Sequence, residues 1–385
     1  MINRKKNNSK FFNKKEDKNS NVKLLKIKDE NQLIKEDLDG LDERKKQILK
    51  EVIDQYINTA EPVSSSDLME KFNLSSATLR NELAILEGKG YLDKTHTSSG
   101  RIPSEKGYRY YVNELIKEDD ISLEEIKYIQ EQLSRKINEI EDLTKITTTT
   151  LSDITHYTTV AIGPKAQEQT IEEIKFVLLG SRMLMIVIMV SNGMVKETII
   201  KYDEDIAQTQ VNSLNSIFNA KLKGKPLSKI DKPMAEYIFS ELEYSINVIK
   251  PIIEQINYII EQEQTPLLKG ASKSFDLPEF KSMEVARNFV SVLDSNTIAE
   301  EILNSSGVAK DINVYIGNEN SNEELKDFSV VTFKHKVGNK DLGTIGIIGP
   351  KRMNYSKVIS VMKYISKKLN EKEDEIEDNN KKLNK

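Results

Sequence analysis

The stretch from Ser64 to Gly90 constrains this chain most, because it carries two helix starts in close succession. Ser64 is placed to cap a helix with Asp67 at the third helical position, and Val63 can staple to Leu68 across that cap. Ser75 repeats the arrangement, with Leu74 reaching Leu79. Asn73 stops the first helix soon after Phe72, while Gly88 and Gly90 end the second. Two short helices joined by Phe72-Asn73-Leu74-Ser75 make a helix-turn-helix. A longer helix precedes them, with Ile48, Leu49, Val52, Ile53 and Tyr56 at helical spacing up to the break at Pro62. After them come Tyr91-Leu92 and Thr95-His96-Thr97-Ser98-Ser99-Gly100-Arg101-Ile102-Pro103, whose flanks favour strands and whose centre is small and polar. That pattern predicts a hairpin, the wing of a winged helix, followed by a helix opened by Ser104 and carrying Tyr108, Tyr111 and Val112.

At 100° per residue, Leu79, Leu83 and Leu86 fall on one side of the helix after the turn and face a core. The opposite side carries Ala77, Asn81 and Ala84, flanked by Thr78, Arg80 and Ile85. Small residues at its centre let a helix sit deep in a major groove. Arg80 can pair with guanine O6/N7 or a phosphate, and Asn81 with adenine N6/N7. An ordinary exposed face also shows Arg and Asn, so the turn before and the wing after are what favour recognition. On the wing, Lys94, His96 and Arg101 stand beside small residues and suit phosphate or minor-groove contact, the alternative being a solvated turn. The candidate DNA-contacting residues are therefore Ser76, Ala77, Thr78, Arg80, Asn81, Ala84, Lys94, His96 and Arg101.

Charge supports this locally rather than globally. The 385-residue chain carries a formal charge of −4 with 31% charged residues. Lys89, Lys94, Arg101, Lys106 and Arg109 nevertheless oppose only Asp93 and Glu105 between residues 89 and 113. So few cations neutralise few phosphates, and affinity must come from two copies acting together. The absence of Cys removes disulfides, thiolate metal sites and Cys nucleophiles, and fits a reducing cytosol. With His96, His156 and His335 as the only histidines, no metal cage and no His-based triad is expected. No serine has a recognisable base partner, so the chain reads as a non-enzyme with no cofactor and no metal. The most apolar run, Val177 to Val190, is interrupted at Ser181-Arg182 and is too short to span a membrane. No apolar segment follows the basic N-terminal residues, so no signal peptide is expected and the chain reads as cytoplasmic.

Elsewhere the organisation is α+β. Residues 1–40 hold eleven Lys/Arg against seven Asp/Glu with few apolar residues, and read as a disordered Asn/Lys-rich tail or a basic arm on DNA phosphates. Residues 41–115 form the winged helix. Ser122 and Glu125 make a capping box for a helix within 116–155, whose stripe Ile126, Ile129, Leu133, Ile137, Ile140 and Leu143 seats on its own domain or on another chain. The run Thr147 to Thr150 should weaken that helix. Strand patterns cover Thr158–Ile162, Ile174–Leu179, Met183–Val190 and, across an Asn192-Gly193 hairpin, Met194–Ile200. Helical periodicity covers 206–222 and 233–263. Strands return at Ile312–Ile316, Ser329–Lys336 and Thr344–Ile348, before a last helix over Tyr355–Leu369. The spacing of Gly343, Gly346 and Gly349 follows a strand and a turn rather than a phosphate cradle, because Pro350 removes a donor. Lys351 and Arg352 open the last helix, where cations are unfavourable to the dipole, which points to an anionic partner or to solvation. His156 and His335 read as packed or surface residues.

Two motifs now identify a resemblance. Ser75-Ser76-Ala77-Thr78-Leu79-Arg80-Asn81-Glu82-Leu83 and His96-Thr97-Ser98-Ser99-Gly100-Arg101-Ile102-Pro103-Ser104-Glu105-Lys106-Gly107-Tyr108-Arg109-Tyr110-Tyr111-Val112 resemble the HrcA family of bacterial heat-inducible transcription repressors. So does Gly346-Ile347-Ile348-Gly349-Pro350-Lys351-Arg352-Met353-Asn354-Tyr355, and the likeness spans about residues 41–370. The resemblance implies an N-terminal winged helix-turn-helix, a GAF-like domain over 156–203 and 300–370, a dimerising domain inserted at 204–299, and a charged tail at 371–385. It implies a negative regulator of class I heat-shock operons (groE and dnaK), acting as a homodimer on double-stranded DNA at the CIRCE inverted-repeat operator and kept active by the GroEL chaperonin. A rival reading is a winged-helix factor whose GAF-like domain senses a small molecule. After Glu61-Pro62-Val63 the family pattern continues with Gly-Ser and a basic residue, where this chain has Ser64-Ser65-Ser66 and so lacks a phosphate-contacting cation.

Overall fold

The computed structural model describes residues 41–383 except 95–99, 118–119, 135–139, 165–168, 231–233, 235–236, 239, 241–245, 264–265, 295–297, 300, 303–310 and 338–339. Helix α1 (Glu43–Thr59) is capped by Asp42, whose carboxylate accepts from the Lys45 amide at 2.9 Å, and it buries Ile48, Leu49, Val52, Ile53 and Ile57. The next helix is shorter than the cap signals suggest. Asp67 accepts from the Ser64 amide at 2.7 Å, but the chain makes a turn before the single helical turn α2 (Met69–Phe72). Asn73, in the left-handed region at φ 51°, ends it. Helix α3 (Ser76–Gly88) follows the sequence closely, with the Ser75 hydroxyl accepting from the Thr78 amide at 3.1 Å.

The wing strands β1 (Leu92–Lys94) and β2 (Arg101–Pro103) pair antiparallel, Leu92 opposite Pro103. Val63 pairs with Arg101 on the other edge of β2, which ties the wing to the segment before α2. Helix α4 (Glu105–Tyr110) starts on Ser104 and continues as a π-helical turn over Tyr111–Leu115. Gly107 is required here, because a Cβ would collide with the Tyr91 carbonyl oxygen.

The predicted seam helix is two helices, α5 (Leu123–Leu133) and α6 (Ile140–Thr155), with Ile137 outside the described residues. They pack on each other, and the Tyr128 hydroxyl donates to Asp153 at 2.6 Å. The stripe Ile129, Leu133 and Leu143 is thus buried within this chain. The threonine run does not interrupt α6. Thr147, Thr148 and Thr150 are buried, and the Thr148 hydroxyl donates back to the Thr144 carbonyl at 2.6 Å, so the polar groups are absorbed by the helix itself.

Five strands form the main sheet in the order β7 (Leu267–Lys269), β3 (Thr158–Ile162), β10 (Lys340–Pro350), β9 (Phe328–Val337) and β8 (Ile312–Ile316), with every neighbouring pair antiparallel. Gly343 sits at a register shift of β10 with φ 110°, where a side chain would strike the Ile162 carbonyl oxygen. One face of the sheet meets α6 and the last helix, α11 (Tyr355–Leu383), in a core continuous with that of the winged helix. The other is covered by an aromatic cluster of Phe280, Phe289 and Phe328, to which α9 (Ala271–Ser274) leads and α10 (Met283–Asp294) contributes. Helix α11 continues beyond Leu369 to Leu383, because the Glu- and Lys-rich sequence expected to be a tail consists of good helix formers.

A second sheet corrects the expected domain boundaries. Strands β4 (Ile171–Gly180), β5 (Met183–Val190) and β6 (Val195–Lys201) were assigned with 300–370, but they form a separate three-stranded sheet. With α7 (Gln208–Leu222) and α8 (Ile246–Glu263) they enclose their own core, including Phe176, Ile186, Phe218 and Ile252. The insertion therefore starts between β3 and β4 and has returned to the main sheet at β7. Asn215 and Asn219, one turn apart on α7, each pair with both the amide and the carbonyl of a β4 residue, Phe176 and Ile174 respectively. They occupy the free edge of that strand.

Candidate nucleic-acid interface

The second and third family-like motifs, far apart in sequence, meet and set the position of the helix-turn-helix on the body. Lys351 reaches Glu105 of α4 at 3.0 Å, and Glu105 also accepts from the Asn318 side-chain amide at 3.1 Å. Arg109 donates to Glu319 at 2.7 Å and to the Val314 carbonyl at 2.6 Å. Arg352 holds Glu279 through two nitrogens and donates a third bond to the Ile57 carbonyl at the end of α1. The Tyr108 ring lies 5.9 Å from that of Tyr355, which is fully buried and shares a 2.7 Å hydroxyl bond with Ser329. The anionic partners sought for Lys351 and Arg352 are thus within the chain.

On α3, Leu79, Leu83 and Leu86 are buried as expected. Ala77, Arg80, Asn81 and Ala84 are exposed on the opposite side, while Ser76 and Thr78 are half-buried at its rim. The Ser76 hydroxyl is 2.9 Å from that of Ser65, and Thr78 is 2.9 Å from the cap Ser75, so both help hold the turn. Arg80 and Asn81 make no side-chain hydrogen bond or ion pair among the described residues, and neither does exposed Lys94 on β1. These groups are available to a partner. His96 lies outside the described residues.

Arg101 departs from expectation. It was read as a wing cation free to reach DNA, but its Nε donates to Glu87 of α3 at 2.7 Å and its side chain is only 13% exposed. Its place at the start of β2, on the inner side of the hairpin, puts it against the end of the recognition helix. Glu82 is a residue that the sequence reading did not single out. It is buried, and the Lys45 ammonium lies 3.3 Å and the Arg44 guanidinium 3.9 Å from its carboxylate. This pairing fixes α3 to the start of α1 and leaves Arg44 largely exposed beside the recognition face. The signal in the sequence was the run Arg44-Lys45-Lys46 in the first turn of a helix, where cations oppose the dipole and need a partner. Among the described residues no helix is long and apolar enough to cross a membrane, and no group of His, Asp or Glu could hold a metal.

The fold and this exposed, wing-flanked helix define a helix-turn-helix protein of the winged class. An HTH domain model matches residues 44–109, and the model of the HrcA protein C terminal domain matches residues 141–359. The heat-inducible transcription repressor HrcA of Acetivibrio thermocellus is 38% identical over 336 residues, covering 86% of this chain and 96% of that protein. That of Clostridium acetobutylicum is 38% identical over 335 residues, covering 86% and 97%. A crystal structure described only as a hypothetical protein, 24% identical, superposes with a TM-score of 0.59 over 86% of this chain and 98% of that one. The chain belongs to the HrcA family of heat-inducible transcription repressors.

Proposed function

We propose that this protein is a cytoplasmic repressor that binds the CIRCE inverted repeat as a homodimer and controls groE and dnaK chaperone operons. The observation that carries this reading is the outward face Ala77, Arg80, Asn81 and Ala84, with its polar side chains unengaged on a rigidly backed helix. Small residues admit the helix to the major groove, Asn81 reads a base edge, and Arg80 reads a base or anchors a phosphate. Ser76 and Thr78 set the helix start against the backbone, Lys94 and His96 follow the flanking groove, and Arg101 positions the wing. A two-fold symmetric dimer matches a palindromic operator. The open face of the β4–β5–β6 sheet supports pairing of two copies, since Leu179, Met189, Val195 and Ile199 are exposed on it. We read the five-stranded body as the GAF-like domain and the three-stranded unit as the dimerising insertion.

The same exposed apolar strands make a heated or newly made chain prone to association and a substrate for a chaperonin. GroEL would raise the active fraction, and unfolded clients that occupy it would lower that fraction and lift repression. The test is fluorescence anisotropy of the purified chain with the inverted repeat and a scrambled duplex at fixed salt, with GroEL then titrated in. Specific binding that rises with GroEL and falls again with an unfolded competitor supports the reading. An active fraction indifferent to both would remove the chaperonin step, and equal affinity for both duplexes would remove the operator.

A further inference from the structure

A cavity of about 480 Å³ lies away from the recognition face, where the wing and α4 meet the body near the end of β10. Its size suits a small organic molecule. Four carboxylates line it, Asp93, Glu105, Glu279 and Asp327, against the three cations Lys106, Lys351 and Arg352. The cations are engaged: Lys351 with Glu105, Arg352 with Glu279, and Lys106 with the Lys89 carbonyl at 2.8 Å and the face of Tyr91 at 4.4 Å. Asp93 and Asp327 make no ion pair or side-chain hydrogen bond among the described residues. One belongs to the wing and the other to the body, so the junction brings two uncompensated like charges to one cavity.

An independent feature points the same way. Tyr108 lines the cavity, is only 3% exposed, and its hydroxyl has no hydrogen-bond partner. A buried hydroxyl left so is costly, and one at a cavity wall is open to a ligand. Tyr56, Ile102 and Pro103 supply apolar wall. We propose that this junction binds a small organic cation, an ammonium or amidinium on a short apolar body, with its charge shared by Asp93 and Asp327 and its body against Tyr56 and Tyr108. Its occupation neutralises the repulsion between wing and body and biases the angle at which α3 is presented. The site lies between the winged helix and the sheet, not within the sheet domain, and its occupancy is independent of operator binding.

The experiment is isothermal titration calorimetry on the full chain without DNA, using benzamidine, with the neutral benzamide and the anionic benzoate as matched shapes. Saturable one-to-one binding of benzamidine alone is expected. The double variant Asp93→Asn, Asp327→Asn should weaken it by about tenfold or more, since each charged hydrogen bond lost is worth that much. Tyr108→Phe should weaken it a few-fold. Should the double variant unfold by circular dichroism, Asp93→Asn alone, on an exposed wing position, carries the test with a smaller loss in the same direction. Absence of saturable benzamidine binding at millimolar concentration, equal binding of benzoate, or undiminished affinity in the Asp variants would overturn the proposal.

Discussion

Asn81 is exposed on α3 with its amide unengaged among the described residues, so its removal leaves the fold intact. Asn81→Ala is expected to cost about 1–3 kcal/mol in operator binding and to relax preference at one position of each half-site. Competition with single-base operator variants reads this directly, and an equal loss on random DNA would demote Asn81 to positioning. His335 is the opposite kind of residue. It is fully buried on β9, neither ring nitrogen has a hydrogen-bond partner, and burial pushes its pKa from 6.5 down to about 4. The unfolded chain takes up this proton near pH 6.5 and the folded chain only near 4, so stability is intact above that window and falls as pH drops through it. The full loss approaches about 3 kcal/mol by pH 4. Urea unfolding of His335→Leu and the parent at pH 7 and at pH 4.5 should show a smaller acid penalty in the variant. Equal penalties would mean that His335 is not the titrating group. That this histidine is packed was legible in its isolation from other ligand types. Its lack of any partner was not, because that depends on which side chains α6 and α11 bring over the sheet.

At the scale of elements, the pairing of Arg101 with Glu87 makes the wing and the recognition helix one unit. Arg101→Ala should weaken operator binding by loosening the wing, while leaving the slope of log affinity against log salt unchanged. A direct phosphate contact from each of two subunits would instead shallow it by about 2. Glu87→Ala should produce a similar loss, and the double variant should be no worse than either single. A shallower slope would return Arg101 to the DNA. The edge of β4 gives a second prediction. Asn215→Ala with Asn219→Ala frees the backbone of Ile174 and Phe176, and light scattering on warming should report faster aggregation than in the parent. Unchanged scattering would mean that the edge is not the aggregating surface. Both pairings show where sequence reasoning stops. Helices α1, α3 and α5 were legible because their caps are local: Asp42, Ser75 and Ser122 each bond an amide three residues on. A strand's alternation is the same in whichever sheet it joins, so β4–β6 could not be separated from β3 and β9 by pattern alone. The pairing of Arg101 with Glu87 likewise needs the fold, since nothing in a hairpin's sequence says which side faces the preceding helix.

On the scale of the whole molecule, the winged helix and the sheet domain share one continuous core, bordered by Glu105–Lys351, Arg109–Glu319 and Arg352–Glu279. The motifs around Tyr108 and Tyr355 were legible as distinctive sequence, but their meeting was not, because they are separated by most of the chain. Their contact gives α3 a defined attitude to the body and, through the insertion, to a second copy. The central claim is that two such helices enter the two halves of an inverted repeat. The absence of cysteine makes a direct measurement possible. Lys89→Cys puts a single thiol at the exposed C-terminal end of α3, and a tethered hydroxyl-radical source there will cut only the DNA next to it. Two clusters of cuts, one in each half-site and symmetric about the centre of the repeat, are predicted. A single cluster, or cutting spread evenly along the duplex, would contradict the account.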